Sequence, residues 1–253
     1  MKTFDFYFDF GSLAAYLAHS QLPKLCTETG ASANLLPMLL GGVFQATGNS
    51  SPMTVPAKGR YVFVDFKRFA DGYGVPLNMN PHFPIITTTL MRMVTALQMH
   101  KDPRMPTFMD AVFQAIWVDS RNMNDPVTAG QVLTDAGFDA TALLAMANDQ
   151  ATKDQLKAVT MKAVERGVFG APTFFVGEEM FWGQDRIEQA LKGVDPMRHT
   201  RDVGVVRAYF AHQLAQGGVE LNALNVDGQA GWVGDELGLG GQGVVRLDGH
   251  PGV

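Results

Sequence analysis

Cysteine is nearly missing: Cys26 is the one thiol in 253 residues. That excludes an internal disulfide, a C-x-x-C redox pair and a multi-cysteine zinc site, and no metal site is expected. A reducing, cytoplasmic location agrees with this usage. Basic charge is also short, with 20 Lys and Arg against 25 Asp and Glu and a formal net charge of −5. Phosphate binding needs a basic face, so no nucleic-acid partner is expected. No apolar run reaches the roughly 20 residues that a membrane-spanning helix needs, so no membrane partner is expected either. The N-terminus has no basic stretch followed by an apolar one, and no signal peptide is expected. What is present is ordinary globular composition, 46% hydrophobic and 18% charged. It suffices for one large domain or two small ones.

The apolar pattern orders the chain. Residues 3–10 read as a strand, and helical spacing of Leu13, Tyr16, Leu17, Leu22 and Leu25 predicts a helix from Ser12 to Thr29, stopped by Gly30. A second strand follows over 33–39, giving β-α-β. A polar loop at 46–61 leads to a helix over 59–73, and 75–84 is an extended, proline-rich connector. Helical patterns then cover 86–100, 104–119, 126–136, 139–147 and 150–166. The period changes again at strands 173–177 and 180–182, followed by a helix over 185–193. From about Gly217 the chain is glycine-rich and aperiodic. Glycine loses the most entropy on ordering, so a flexible tail is expected there.

Two junctions carry chemistry. In residues 6–18, FYFDFGSLAAYLA, a β-rich run meets a helix-forming run with Gly11 and Ser12 between them. Serine is a preferred N-cap. The first turn of a helix also presents unpaired N–H groups and partial positive charge, so Ser12 either simply caps or helps to hold a small anion such as a thiolate. Ser12 does not sit in a G-x-S-x-G elbow, which argues against a serine-hydrolase nucleophile.

The second junction is GVFGAPTFFVGEEMFWGQDRIEQAL, residues 167–191. Proline at a strand start cannot donate to the ladder. A cis bond at Ala171-Pro172 would leave the Ala171 N–H and C=O to pair with an extended ligand. The alternative is an ordinary edge-strand proline. Gln184 and Asp185 read either as caps of the next helix or as partners for a ligand's amino group and carboxylate.

Together, helix-capping Ser12, the G-x-P-T strand and W-G-x-D-R at 182–186 resemble the thioredoxin-fold proteins related to DsbA. Where redox members carry C-x-x-C, this chain reads Ser12-Leu13-Ala14-Ala15, which excludes disulfide exchange there. Serine at that place is similar to the 2-hydroxychromene-2-carboxylate isomerase and kappa-class glutathione transferase family. GNSSPMTVPAKGRY (48–61) and PHFP (81–84) resemble segments of the same family, and the isomerase branch is the nearer match. Two departures stand out: Leu13 replaces the proline that usually follows the serine, and Ser51-Pro52 replaces Pro-Pro.

The resemblance implies an α/β, thioredoxin-like (DsbA-like) fold with an inserted all-helical domain. Residues 1–80 and 152–197 would form the thioredoxin-like part, 81–151 the helical insertion and 198–253 an extension. It further implies glutathione as cofactor, with Ser12 donating to its sulfur. Asn49 and Lys58 would reach it from the loop, and Ala171, before Pro172, would pair with its cysteinyl part. Gln184 and Asp185 would hold the γ-glutamyl group, framed by Trp182, Gly183 and Arg186. The implied partner is a small aromatic substrate, in a homodimer. Arg60, Arg92 and Lys58 are candidate cations for a substrate carboxylate, and Met53, Phe83 and Met91 candidate lining. The implied reaction interconverts 2-hydroxychromene-2-carboxylate and trans-o-hydroxybenzylidenepyruvate. Alternatives are an irreversible glutathione transferase and a non-catalytic peptide-binding groove.

Overall fold

The structure is a computed structural model that describes residues 3–192. The expected C-terminal extension and its flexible tail lie outside the described residues. Four strands form one mixed sheet in the order β2-β1-β3-β4, from β1 (Thr3–Phe8), β2 (Ser32–Pro37), β3 (Thr173–Val176) and β4 (Glu179–Trp182). β1 and β2 are parallel, whereas β3 runs antiparallel to β1 and β4 to β3. This is the mixed thioredoxin-like sheet that the sequence reading implied.

The helices are α1 (Leu13–Thr29), α2 (Leu40–Thr47), α3 (Pro56–Tyr73), α4 (Thr88–Met99), α5 (Met105–Trp117), α6 (Pro126–Asp135), α7 (Ala140–Asn148), α8 (Gln150–Glu165) and α9 (Ile187–Lys192). Three differ from the sequence reading. α2 was unread, because its eight residues include Gly41 and Gly42 and give too few turns for a clear period. α3 starts at Pro56 rather than Gly59, since proline suits the first helical position, where no N–H is needed. Lys58 therefore sits on its first turn and not in a loop. α9 starts at Ile187, so Gln184 and Asp185 precede it.

One face of the sheet carries the larger core. Phe6, Phe8 and Phe10 are fully buried, and Phe10 meets Phe113 of α5 edge-to-face at 4.9 Å. Trp117 closes this region by donating its indole N–H to the Phe10 carbonyl at 2.9 Å. Each such aromatic contributes about 1.5–3 kcal/mol on burial. Core side chains therefore clamp the end of β1, and with it the turn into α1, against the helical block. The other face buries Tyr7 and Phe175 with Val43 of α2 and Ala163 of α8.

Candidate functional site

Ser12 caps α1. Its extended backbone (φ −96°, ψ 113°) leaves the helix, and its hydroxyl oxygen accepts from the Ala15 N–H at 3.2 Å. The same hydroxyl donates across the fold to the Ala171 carbonyl at 3.0 Å. The residue is buried; it is a cap, and its proton points at the second junction.

That second junction, residues 169–173, is a hub. The Ala171-Pro172 bond is cis, as is Phe83-Pro84. The Gly183 N–H donates to the Pro172 carbonyl at 3.1 Å. Asn49, in the loop after α2, donates to the Phe169 carbonyl at 2.7 Å. Trp182 pairs with Thr173 in the ladder, and its ring lies 4.9 Å from that of Phe169. Gly170 is required by close approach: a Cβ there would lie 2.7 Å from Trp182 Nε1. Gly183 has φ +106°, open only to glycine at low strain. Trp182 is 51% exposed although it belongs to a strand, so an indole face stands beside the hub.

The structure thus brings together Ser12, Asn49, Ala171, Pro172, Trp182 and Gly183. Gln184, Asp185 and Arg186 follow directly. Gln184 is buried, and its carbonyl accepts from the Tyr73 hydroxyl at 3.5 Å. Burial, then the negative charges of Asp185 and Glu188, push the Tyr73 phenol above its ordinary pKa. Lys58 and Arg60 are exposed on α3 and make no hydrogen bond or ion pair with the hub among the described residues. Arg92 is half-buried on α4.

One expectation needs correction. The Ala171 carbonyl does not stand free, because the Ser12 hydroxyl occupies it. Asn49 also accepts from the Ser50 N–H at 2.8 Å, closing its own loop. Asp185 pairs with Arg186. Met91 is fully buried in the core.

Sequence reasoning also missed Asp9. It is 3% exposed, and its side-chain hydrogen bonds come from uncharged donors. Its Oδ1 accepts from the Gly11 N–H at 2.8 Å and the Thr87 hydroxyl at 2.6 Å, and its Oδ2 from the Leu40 N–H at 2.8 Å. Burial raises its pKa above the ordinary carboxylate value, against the bonds from Thr87, Leu40 and Gly11, which lower it. An acid at the end of an aromatic run, just before the start of α1, was the available signal.

Residues 3–194 match the model of the DSBA-like thioredoxin domain. A 2-hydroxychromene-2-carboxylate isomerase of Sphingobium xenophagum is 33% identical over 192 residues, covering 74% of this chain and 95% of the relative. Glutathione S-transferase kappa 1 of Rattus norvegicus is 24% identical, covering 74% and 88%. Among solved structures, a 2-hydroxychromene-2-carboxylate isomerase superposes with a TM-score of 0.65 at 26% identity, covering 85% of this chain and 98% of that one. A probable DsbA oxidoreductase from Streptomyces coelicolor reaches a TM-score of 0.58 at 17% identity, covering 78% and 92%, and shares the fold.

Proposed function

The chain belongs to the DSBA-like thioredoxin-domain family, and from that premise we propose that it is a glutathione-dependent isomerase interconverting 2-hydroxychromene-2-carboxylate and trans-o-hydroxybenzylidenepyruvate. At the coarser level it is an enzyme of the glutathione-related isomerase and transferase group, the group that its relatives' names describe. The observation that carries the proposal is the Ser12 hydroxyl at the start of α1, 3.0 Å from the Ala171 carbonyl, with no thiol in Ser12-Leu13-Ala14-Ala15. A site of this build needs its sulfur from a ligand.

The residues fit glutathione. The Ala171 N–H has no hydrogen-bond acceptor among the described residues, so the hub offers a donor to an extended backbone. If Ser12 turns its proton from the Ala171 carbonyl to a ligand sulfur, that carbonyl becomes an acceptor for the same backbone. The unpaired N–H groups and partial positive charge of the α1 N-terminus favour the anion. Asp185 and Arg186 present opposite charges to the two charges of a γ-glutamyl end, with Gln184 beside them. Lys58 supplies the cation for the glycyl carboxylate, and Asn49 holds its loop against Phe169. Trp182, Gly183 and Pro172 frame the sulfur end. When bound, glutathione supplies a thiolate that adds reversibly to the conjugated substrate carbon, allows bond rotation and leaves, so it is not consumed. Arg60 and Arg92 are the proposed partners of the substrate carboxylate. In this reading the substrate lies between the thioredoxin-like part (1–80 and 152–197) and the helical insertion (81–151).

Calorimetric titration of reduced glutathione into the wild type and Ser12→Ala, followed by an ultraviolet assay with 2-hydroxychromene-2-carboxylate, tests this. Binding with turnover and no glutathione loss is the expected result. Glutathione consumed on electrophiles moves the assignment to a transferase. Absence of binding at millimolar glutathione overturns both and leaves the groove as a docking surface.

A further inference from the structure

The Asp9 carboxylate joins three segments of the chain. The Gly11 peptide is one residue before Ser12. Leu40 opens α2, whose far end leads through Gly48 into the Asn49 loop. Thr87 precedes α4, the first helix of the helical block, occupies its N-cap position without capping it, and donates its hydroxyl to Asp9. The Asp9 main-chain carbonyl also accepts the Ser12 N–H at 3.0 Å. Backbone and side chain of one residue therefore set the turn on which Ser12 sits. The space is tight: a Cβ on Gly11 would lie 3.4 Å from Asp9 Oδ1 and 3.5 Å from Thr87 Cγ2.

The choice of an acid is specific. All three partners donate, and two of them are backbone N–H groups that cannot accept. An amide in place of the carboxylate must point its NH2 at one of those N–H groups or at Thr87. Thr87 can reverse its hydroxyl to accept, but Oδ1 serves Gly11 and Thr87 together, so the conflict falls on the Gly11 or the Leu40 peptide. A conservative change thus disturbs the turn while keeping the volume.

We propose that Asp9 is the positioning residue of the Ser12 site, holding the α1 start, the α2 start and Thr87 in the one arrangement that aims the Ser12 hydroxyl at the sulfur position. This rests on the proposed role of Ser12. The Asp9 side chain bonds Gly11, Leu40 and Thr87, so in this proposal it acts through the turn that carries Ser12.

The test is a double-mutant cycle on kcat at saturating glutathione, using turnover of 2-hydroxychromene-2-carboxylate or, for a transferase, conjugation of 1-chloro-2,4-dinitrobenzene. Misplacement at a distance from the chemistry can lower rates by as much as ~100-fold, and Asp9→Asn is expected to lose roughly tenfold or more on that scale. In the Ser12→Ala background the same change is expected to lose less than about twofold, because its route of action is gone. Equal losses in both backgrounds overturn the proposal and leave Asp9 a general structural residue. Thr87→Val removes one bond of the three and is expected to show the same dependence on Ser12 with a smaller loss, which keeps the test open if Asp9→Asn does not fold. A second arm needs no glutathione. Amide exchange at Ser12, Ala15 and Leu40 is expected to speed up in Asp9→Asn, or in Thr87→Val in its place, with β3 unchanged. Unchanged exchange at these amides overturns the proposal even if glutathione does not bind, so its failure is separable from failure of the proposed function.

Discussion

The inner and outer halves of the candidate site are built in opposite ways. The inner half, Ser12 with Ala171, Pro172 and Gln184, is buried or half-buried and tied by backbone-directed bonds to strands and to α1. The outer half, Asn49, Lys58, Arg60, Trp182 and Arg186, is exposed. In the first, the fold has already lost the conformational entropy that binding would otherwise cost. In the second, long side chains must still be ordered when a ligand arrives. Under the proposed function, the inner half sets chemistry and the outer half sets affinity. The comparison breaks if an outer substitution removes turnover, or an inner one changes binding alone.

The largest effect expected is on the inner half. Ser12→Ala removes the hydroxyl that, under the proposed function, donates to the glutathione sulfur, and is predicted to lower kcat by about 10²–10³, the scale for a lost donor to a developing charge. Steady-state kinetics with glutathione titrated separately checks whether the loss falls on kcat.

The next strikes the seam between the halves. Gly170→Ala places a Cβ where Trp182 Nε1 lies, at 2.7 Å, so the indole or the hub must shift. Overpacking of this kind is predicted to lower stability by about 1–3 kcal/mol in urea unfolding, and tryptophan emission should change with it.

Asp9 gives the inner half a pH signature. Its folded pKa is raised, mainly by burial, so the folded state holds its proton more tightly than the unfolded one. This group's contribution to stability is therefore full below the unfolded value of about 3.9 and is lost as pH rises through the raised folded value. Thermal melts against pH should show this limb in the wild type, and Asp9→Asn should flatten it.

Smaller still, Lys58→Ala is predicted to weaken glutathione binding by ~1 kcal/mol or less, as for exposed ion pairs. The loss should shrink with added salt, and kcat should be retained. The least effect is expected far from the site. Hydrogen bonds from the Arg104 side chain and backbone hold Asp102 at about 2. Its contribution is present above the ordinary carboxylate value and lost as pH falls through about 2. Asp102→Asn should change only that acid limb, slightly, since the pair is solvent-exposed.

The two halves also differ in how far they could be read in advance. Ser12 was legible because an N-cap is a local event: a serine between a β-rich and a helical run has few other uses. Pro172 was legible for the same reason, since proline suits a restricted backbone conformation, whereas Gly183 entered only through the family resemblance. Lys58 was placed in a loop and belongs to α3, because Pro56 starts that helix against weak local periodicity. The partner of the Ser12 proton could not be read, as Ala171 lies 159 residues away.

By itself, the sequence determined the strands and every helix but α2, the capped start of α1 and the absence of any thiol to carry redox chemistry at that place, all of which follow from residue type and short-range spacing. Only the tertiary structure decided that Ser12 faces Ala171, that Asn49 spans to Phe169, and that Asp9 is a buried hub rather than a solvated acid. The physical reason is common to all three. A buried polar group must find partners, and which partners it finds depends on where the sheet order β2-β1-β3-β4 brings distant segments of the chain together.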